Sequence, residues 1–308
     1  MSESGLGLWG LVIALVGGAI KVSTPFLYVS LGECITEKSG RVNLGLEGVL
    51  VLGAMSGYGI SYLTGSPWLG VLAAGAAGTL LAGFHGYVSR FKEVNSLALG
   101  IALMTFGLGL SFFLGKSLVK VQAPLLHALD LAFWTDIPAV KEALKINSLF
   151  IIGVLLAPGL KWAFANTRWG LIIRMCGENA RAARSQGYNV NKVRLFSTMT
   201  GGFLAGVGGS FLSLFYPGAW VEGLSSGQGL MAIALVIFAG WDPVKCLYTS
   251  LLFGAAGSIG VALQSIGISQ GFYLFNAAPA FFAVLIMVFS STKNPYFSGQ
   301  PAELTLVQ

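Results

Sequence analysis

NTRWGLIIRMCGENARAARSQGYNVNKVR, residues 166–194, interrupts an otherwise apolar chain. Six basic residues (Arg168, Arg174, Arg181, Arg184, Lys192 and Arg194) stand in it against one acid, Glu178. Basic connections between hydrophobic spans are retained in the cytoplasm, so this stretch orients the whole chain. Its middle reads as a short helix. Asn179 suits an N-cap, Ala180 to Gln186 are mostly good helix formers, and Gly187 stands where a left-handed residue would end the helix. So short a helix is not stable alone in water, and a partner surface is expected to hold it. The alternative is a solvated loop that only sets topology.

Composition places the rest of the chain in a membrane. Of 308 residues, 55% are hydrophobic and only 10% charged, and the mean hydropathy is +0.77, outside the range of soluble domains. The 43 glycines accompany few polar residues, which indicates closely packed transmembrane helices and not a flexible linker. The net charge of +6 belongs to an inner membrane face, where membrane lipid is the partner and nucleic acid is not. Cys34, Cys176 and Cys246 lack metal-site spacing and read as reduced, ordinary thiols. The first ten residues, MSESGLGLWG, have no basic n-region, so no cleaved signal peptide is expected.

Worked outward, the chain reads as one all-α transmembrane domain over residues 1–308. Apolar runs cover about Leu6–Leu31, Val49–Leu63, Trp68–Val88, Val94–Gly115, Asn147–Ala165, Leu195–Tyr216, Gln228–Trp241, Val244–Gln264 and Phe272–Ser290, which makes nine spans; eight or ten stay open. Lys21 lies within the first run and Pro25 follows, so a kink is expected there, with the ammonium facing protein or water. Between the first two runs Glu33, Glu37, Lys38, Arg41 and Glu47 are too dense for lipid contact. Glu37 and Arg41 are spaced for a local ion pair. Residues 116–146 form a polar external loop whose Pro138–Lys145 portion has the makings of a surface helix. The GGFLAGVGGS run puts Gly202, Gly206 and Ser210 on one helix face, inviting close approach of a neighbour. Gln228–Trp241 is short for a span and bounded by turns, as a discontinuous or re-entrant helix would be. With residues 166–194 inside, the N-terminus lies outside and the C-terminus inside. Thirteen basic residues then fall inside and four outside, with Lys21 within a span.

No catalytic constellation is present. His85 and His127 sit at a helix end and in the external loop. The sequence carries no HExxH, GxSxG or paired-cysteine metal motif, and no G-x-x-x-x-G-K-[ST] loop to cradle ATP. What remains is a pump subunit driven from outside, a secondary transporter or a channel. A coupled transporter would use mid-membrane carboxylates such as Glu47, beside the break at residues 43–45. A docking helix in the cytoplasm favours the pump.

Four blocks carry a resemblance to a known family: TEKSGRVNLGLEG (36–48), NTRWGL (166–171), CGENARAARSQG (176–187) and AGWDP (239–243). In order and spacing over nearly the whole chain they resemble the permease subunits of bacterial ATP-binding-cassette importers of the nucleoside type, related to ribose and branched-chain amino acid permeases. That resemblance implies a type II importer-like permease of the bacterial inner membrane, forming the path for a small polar solute, foremost a nucleoside. Riboflavin, a sugar or another small metabolite are the alternatives. It implies no cofactor on this chain, with ATP and Mg held by a partner ATPase. The further partners it implies are a longer, heterologous second permease and an extracytoplasmic substrate-binding lipoprotein. The coupling segment it implies comprises Gly177, Glu178, Asn179, Arg181, Ala182, Arg184 and Gly187. Family members often have proline where Ala180 stands. In such a path the buried polar residues would be Asn43, Glu47, Asn95 and Gln228, each of which is equally suited to an interhelical hydrogen bond.

Overall fold

The computed structural model describes residues 7–91, 93–130, 140–141, 144–265, 278–293 and 299–306. Its helices, in chain order, are α1 (Gly7–Lys38), α2 (Leu46–Thr64), α3 (Pro67–Val88), α4 (Ser96–Gly115), α5 (Ser148–Asn166), α6 (Arg168–Glu178), α7 (Ala180–Ser185), α8 (Val190–Leu214), α9 (Gln228–Phe238), α10 (Pro243–Ser265) and α11 (Ala278–Lys293). Among the described residues seven helices are long and apolar enough to cross a membrane. The two shorter apolar helices, α9 with 11 residues and α11 with 16, stand where the other two expected spans were read. Residues 266–277, which include the start of the last expected span, lie outside the described residues.

Local signals in the sequence set the helix ends. Asn95, Asn147, Thr167, Asn179 and Asn189 each turn a side-chain oxygen onto a backbone N–H of the first turn that follows, satisfying donors that the helix itself cannot. Pro67 opens α3, a position where its missing N–H costs nothing.

Helix α8 is the core of the bundle, packed against α1, α2 and α3. Its small-residue face makes this possible. A Cβ added to Gly206 would lie 2.1 Å from the Ala74 carbonyl oxygen of α3, and one on Gly209 would lie 2.0 Å from that of Leu50 in α2. Hydrophobic driving force between helices is absent in lipid, so such close backbone packing supplies much of the association energy. Pro25 lies inside α1, and the Lys21 ammonium stands 5.9 Å over the Tyr216 ring, facing protein as expected.

The two ends of the bundle are distinct. At one end, Arg194 of α8 reaches the loop after α1 through Nε to the Ser39 carbonyl, and Arg41 donates to the Ser89 carbonyl after α3. The island of residues 166–194 belongs to this end. At the other, Tyr58 and Ser61 of α2 donate to the carbonyls of Val121 and Pro124, and the Leu126 amide bonds Leu214 at the end of α8. Residues 121–126 thus pack onto the helix ends, and beyond them the described residues depart from an all-helical chain. Strand β1 (Ala128–Asp130) pairs antiparallel with β2 (Lys145–Asn147), Leu129 facing Ile146. Of the surface helix expected over Pro138–Lys145, residues 138–139 and 142–143 lie outside the described residues, and Lys145 begins strand β2 instead of ending a helix.

The local ion pair expected between Glu37 and Arg41 is not formed. Helix α1 ends at Lys38, so the two side chains never share a helical face; Glu37 accepts from the Trp241 indole and Arg41 turns to Ser89.

Candidate functional site

The first candidate region lies at the interruption of the bundle. After α8 the chain does not re-enter as a helix. Residues 215–227 form a non-helical segment with Gly218, Gly223, Ser226 and Gly227 in left-handed backbone, and only at Gln228 does α9 begin. Eleven residues span about 16 Å, half of a hydrocarbon core. The free N-terminus of α9 therefore opens inside the bundle. Glu47, in the first turn of α2, closes it. Its Oε1 accepts from Ser225 Oγ and from the Gly227 amide at 3.0 Å, and its Oε2 accepts from the Gly229 amide at 2.6 Å. Glu47 is only 5% exposed. A carboxylate at a helix N-terminus meets both orphan N–H groups and the positive end of the helix dipole. Gly229 is required by this contact, since a Cβ there would lie 2.6 Å from the Glu47 Cα.

The neighbouring loop 39–45 brings in Asn43, whose backbone N–H donates to Glu33 Oε1 at 2.7 Å and whose side-chain Oδ1 accepts from the Gly45 N–H. Asn43 Nδ2, Glu33 Oε2, Glu37 Oε1 and Gln228 Oε1 are buried without a hydrogen-bond partner. Buried polar atoms are normally satisfied, so these four stand out within the bundle. Of the four residues singled out from the sequence, Glu47 and Gln228 are brought into one neighbourhood, and Asn43 lies on the loop that leads into α2. Asn95 is not buried. It is exposed, and its Oδ1 accepts from the amides of Leu97 and Ala98 at the start of α4. Helix capping accounts for a polar residue at that position without any reference to a path.

The second region is the basic island. It forms the short helix that its sequence encodes: Asn179 Oδ1 accepts from Ala182, and Gly187, at φ +84°, ends it with its amide bonded to the Arg184 carbonyl. Ala180 and Ala183 are buried against Cys176 and Val190. Ala183 thus packs inward, while Ala182, Arg181, Arg184 and residues 185–189 are exposed together with Glu178 and Asn179. Gly177 is buried, and a Cβ there would lie 2.2 Å from the Lys38 carbonyl oxygen.

A residue that gave no signal in the sequence holds this segment. Glu303, in the 3-10 turn Ala302–Leu306, accepts from the Ala180 amide through Oε1 at 3.0 Å and bridges Arg194 Nη2 through Oε2 at 3.0 Å. Arg194 also donates to the carbonyls of Ser39 and Cys176. Burial pulls the Glu303 carboxyl upward, but the Ala180 N–H and Arg194 outweigh it and hold it below the usual carboxylate range. Burial, then the neighbouring Arg194, lowers Arg41 to about 10. The Cys176 thiol is pushed up by burial, so it is a poor nucleophile. Among the described residues, no three His, Cys, Asp or Glu side chains are grouped to hold a metal ion.

The fold and the interrupted helix define a multi-pass membrane protein of the transporter type. The chain belongs to the branched-chain amino acid transport system permease component family, whose pattern matches residues 14–305. It is similar to a putative glucose ABC transporter permease of Haloferax volcanii, 32% identical over 260 residues covering 83% of this chain and 79% of that one. It is also similar to a guanosine ABC transporter permease of Bacillus subtilis, 30% identical over 80% of this chain and 82% of the relative. A nucleoside ABC transporter permease of Lactococcus lactis is 29% identical over 89% and 90%. The chain is thus a permease subunit of an ABC importer, which works with an ATPase and a substrate-binding partner.

Proposed function

We propose that this permease forms the translocation path of a nucleoside importer. The observation that carries the reading is α7, a capped six-residue helix exposing Arg181 and Arg184 on the basic end of the bundle. Such a helix suits an acidic groove of the partner ATPase, with Gly177, Glu178, Asn179, Ala182 and Gly187 shaping its ends and contact face. On this reading the end bearing residues 166–194 is cytoplasmic, the N-terminus is outside and the C-terminus inside. Residues 116–146 then face outward, where a substrate-binding lipoprotein docks. ATP and Mg belong to the ATPase, and a longer, heterologous permease completes the pair. Closure of the ATPase moves α7, and that motion alternates access to a path lined by Asn43, Glu47 and Gln228. Asn95 has the weakest claim to it because its side chain is committed to capping.

The guanosine and nucleoside permeases among the relatives support the nucleoside as solute. The 32% identity with a glucose permease favours a sugar as the second reading. Uptake of radiolabelled guanosine and glucose by cells expressing the whole importer distinguishes them, and glucose accumulation without guanosine would overturn the first. In the same cells Arg181→Glu with Arg184→Glu is expected to leave the permease inserted while ending copurification with the ATPase. Normal copurification would reduce α7 to a loop that sets topology.

A further inference from the structure

The elbow between α5 and α6 is unusual in what it exposes. Thr167 ends α5 and starts α6 at once. Its Oγ1 donates to the Ala163 carbonyl and accepts from the Gly170 amide. A Cβ on Gly170 would lie 2.3 Å from the Ala163 oxygen, so only glycine lets α6 fold back this tightly. The turn leaves Trp162, Trp169 and Leu171 at 63%, 71% and 58% exposure, with Lys161, Arg168 and Arg174 exposed beside them. Large exposed indoles next to basic side chains match a membrane–water boundary, where the ring sits at headgroup level and the cations above it. Helix α6 is amphipathic along its length, as an interfacial helix is.

Behind the elbow is a cavity of about 230 Å³ into which three helices and a loop deliver charge. Lys38 comes from the end of α1, Lys161 from α5, Arg174 from α6 and Asp242 from the loop before α10. Phe164 and Trp241 line it as well. Lys38 Nζ stands 5.8 Å over the Phe164 ring, and Lys161 pairs with Asp242 at 2.8 Å. Three cations against one carboxylate leave the cavity an excess of positive charge. Burial draws the Asp242 carboxyl up, but Lys161 and the Lys245 and Val244 amides outweigh it and keep it below the ordinary range, so its charge is retained. Arg174 makes no ion pair among the described residues, and its planar fork suits phosphate oxygens.

We propose that this cavity holds the phosphate of an anionic phospholipid headgroup, whose acyl chains lie along the exposed Trp162, Trp169 and Leu171. Lipid is the favoured source of the anion because α5 and α6, which supply Lys161, Phe164, Ala165 and Arg174 to the cavity, also carry the exposed Trp162, Trp169 and Leu171. The inference needs only that the elbow lie at a membrane boundary; on the sidedness proposed above, this is the cytoplasmic leaflet.

The test uses the permease copurified with its ATPase and reconstituted in nanodiscs with brominated phosphatidylglycerol or brominated phosphatidylcholine at equal mole fraction. Bromines quench nearby indoles. Phosphatidylglycerol is expected to quench more strongly, and the Trp162→Phe, Trp169→Phe double variant should lose that excess. Arg174→Gln should weaken the phosphatidylglycerol preference about fivefold, the scale of one basic residue near an anionic surface. Asp242→Asn should strengthen it, since it removes the opposing charge; a purely structural role for Asp242 predicts the reverse. Equal quenching by the two lipids would overturn the headgroup site. Absence of quenching at Trp162 and Trp169 would show that protein covers the elbow and would overturn it too. Competition by millimolar inorganic phosphate that displaces the lipid preference without lipid rebinding would assign the cavity to the free ion. None of these outcomes depends on the importer's solute or on ATPase docking by α7.

Discussion

Replacing Glu47 tests the most demanding contact in the bundle. Three donors converge on its carboxylate, two of them amides at the start of α9. Glu47→Gln keeps the size of the side chain and one acceptor oxygen, which can still serve Ser225 and Gly227. The other oxygen becomes an NH2 group aimed at the Gly229 amide, so two donors face each other. A buried amide without an acceptor costs about 1–3 kcal/mol, and losing the charge at a helix N-terminus adds about 0.3–2 kcal/mol. The expected total is about 1.3–5 kcal/mol, or roughly 8-fold to 4,000-fold in the equilibrium between seated and unseated α9. Glu47→Ala leaves all three donors unsatisfied and should cost more. Thermal unfolding of the detergent-solubilised protein and solute uptake by proteoliposomes containing the whole importer measure the two consequences. Stability should fall in the order wild type, Glu47→Gln, Glu47→Ala, and uptake should fall with it. Wild-type melting of Glu47→Ala would refute the capping argument. Loss of uptake by Glu47→Gln at unchanged stability would instead assign Glu47 to contact with the solute.

Glu303 carries a pH signature. Its carboxyl is held below the usual range, so its contribution is present above the unfolded-state value of about 4 and is lost as the pH falls through the lower folded value; hydrogen exchange in α7 should accelerate over that window in the wild type, and Glu303→Gln should already exchange fast at neutral pH. Gly206→Ala should lower the folded yield, at about 1–3 kcal/mol for overpacking, whereas Gly109→Ala, whose Cβ would meet nothing within 4 Å, should be neutral or gain up to about 1 kcal/mol. For sidedness, the native cysteines are all buried, so single reporters are readable. An impermeant maleimide added to intact cells should label Lys120→Cys and spare Ser185→Cys, and the reverse result would invert the proposed orientation.

Much of this chain is legible without tertiary structure because its signals are local. Apolar runs of span length need no partner to declare themselves, since lipid replaces the core. Asn179 and Gly187 encode the two ends of α7 within nine residues, and the structure keeps both. The Gly202, Gly206, Ser210 spacing likewise announces a face for close packing, and the short run at Gln228 announces an interrupted helix. What the sequence left open were the partners of polar groups. A carboxylate signals only that it needs donors, and which donors reach it depends on how distant segments pack. Glu47 finds its three at residues 225–229, Glu37 finds Trp241 instead of its neighbour Arg41, and Glu303 finds Ala180 and Arg194 across more than a hundred residues. Asn95 shows the converse: its amide side chain stays on its own helix turn, and only the fold reveals that it is exposed. Local backbone preferences act within a few residues, whereas the cost of an unsatisfied buried polar atom is settled only when the whole bundle closes around it.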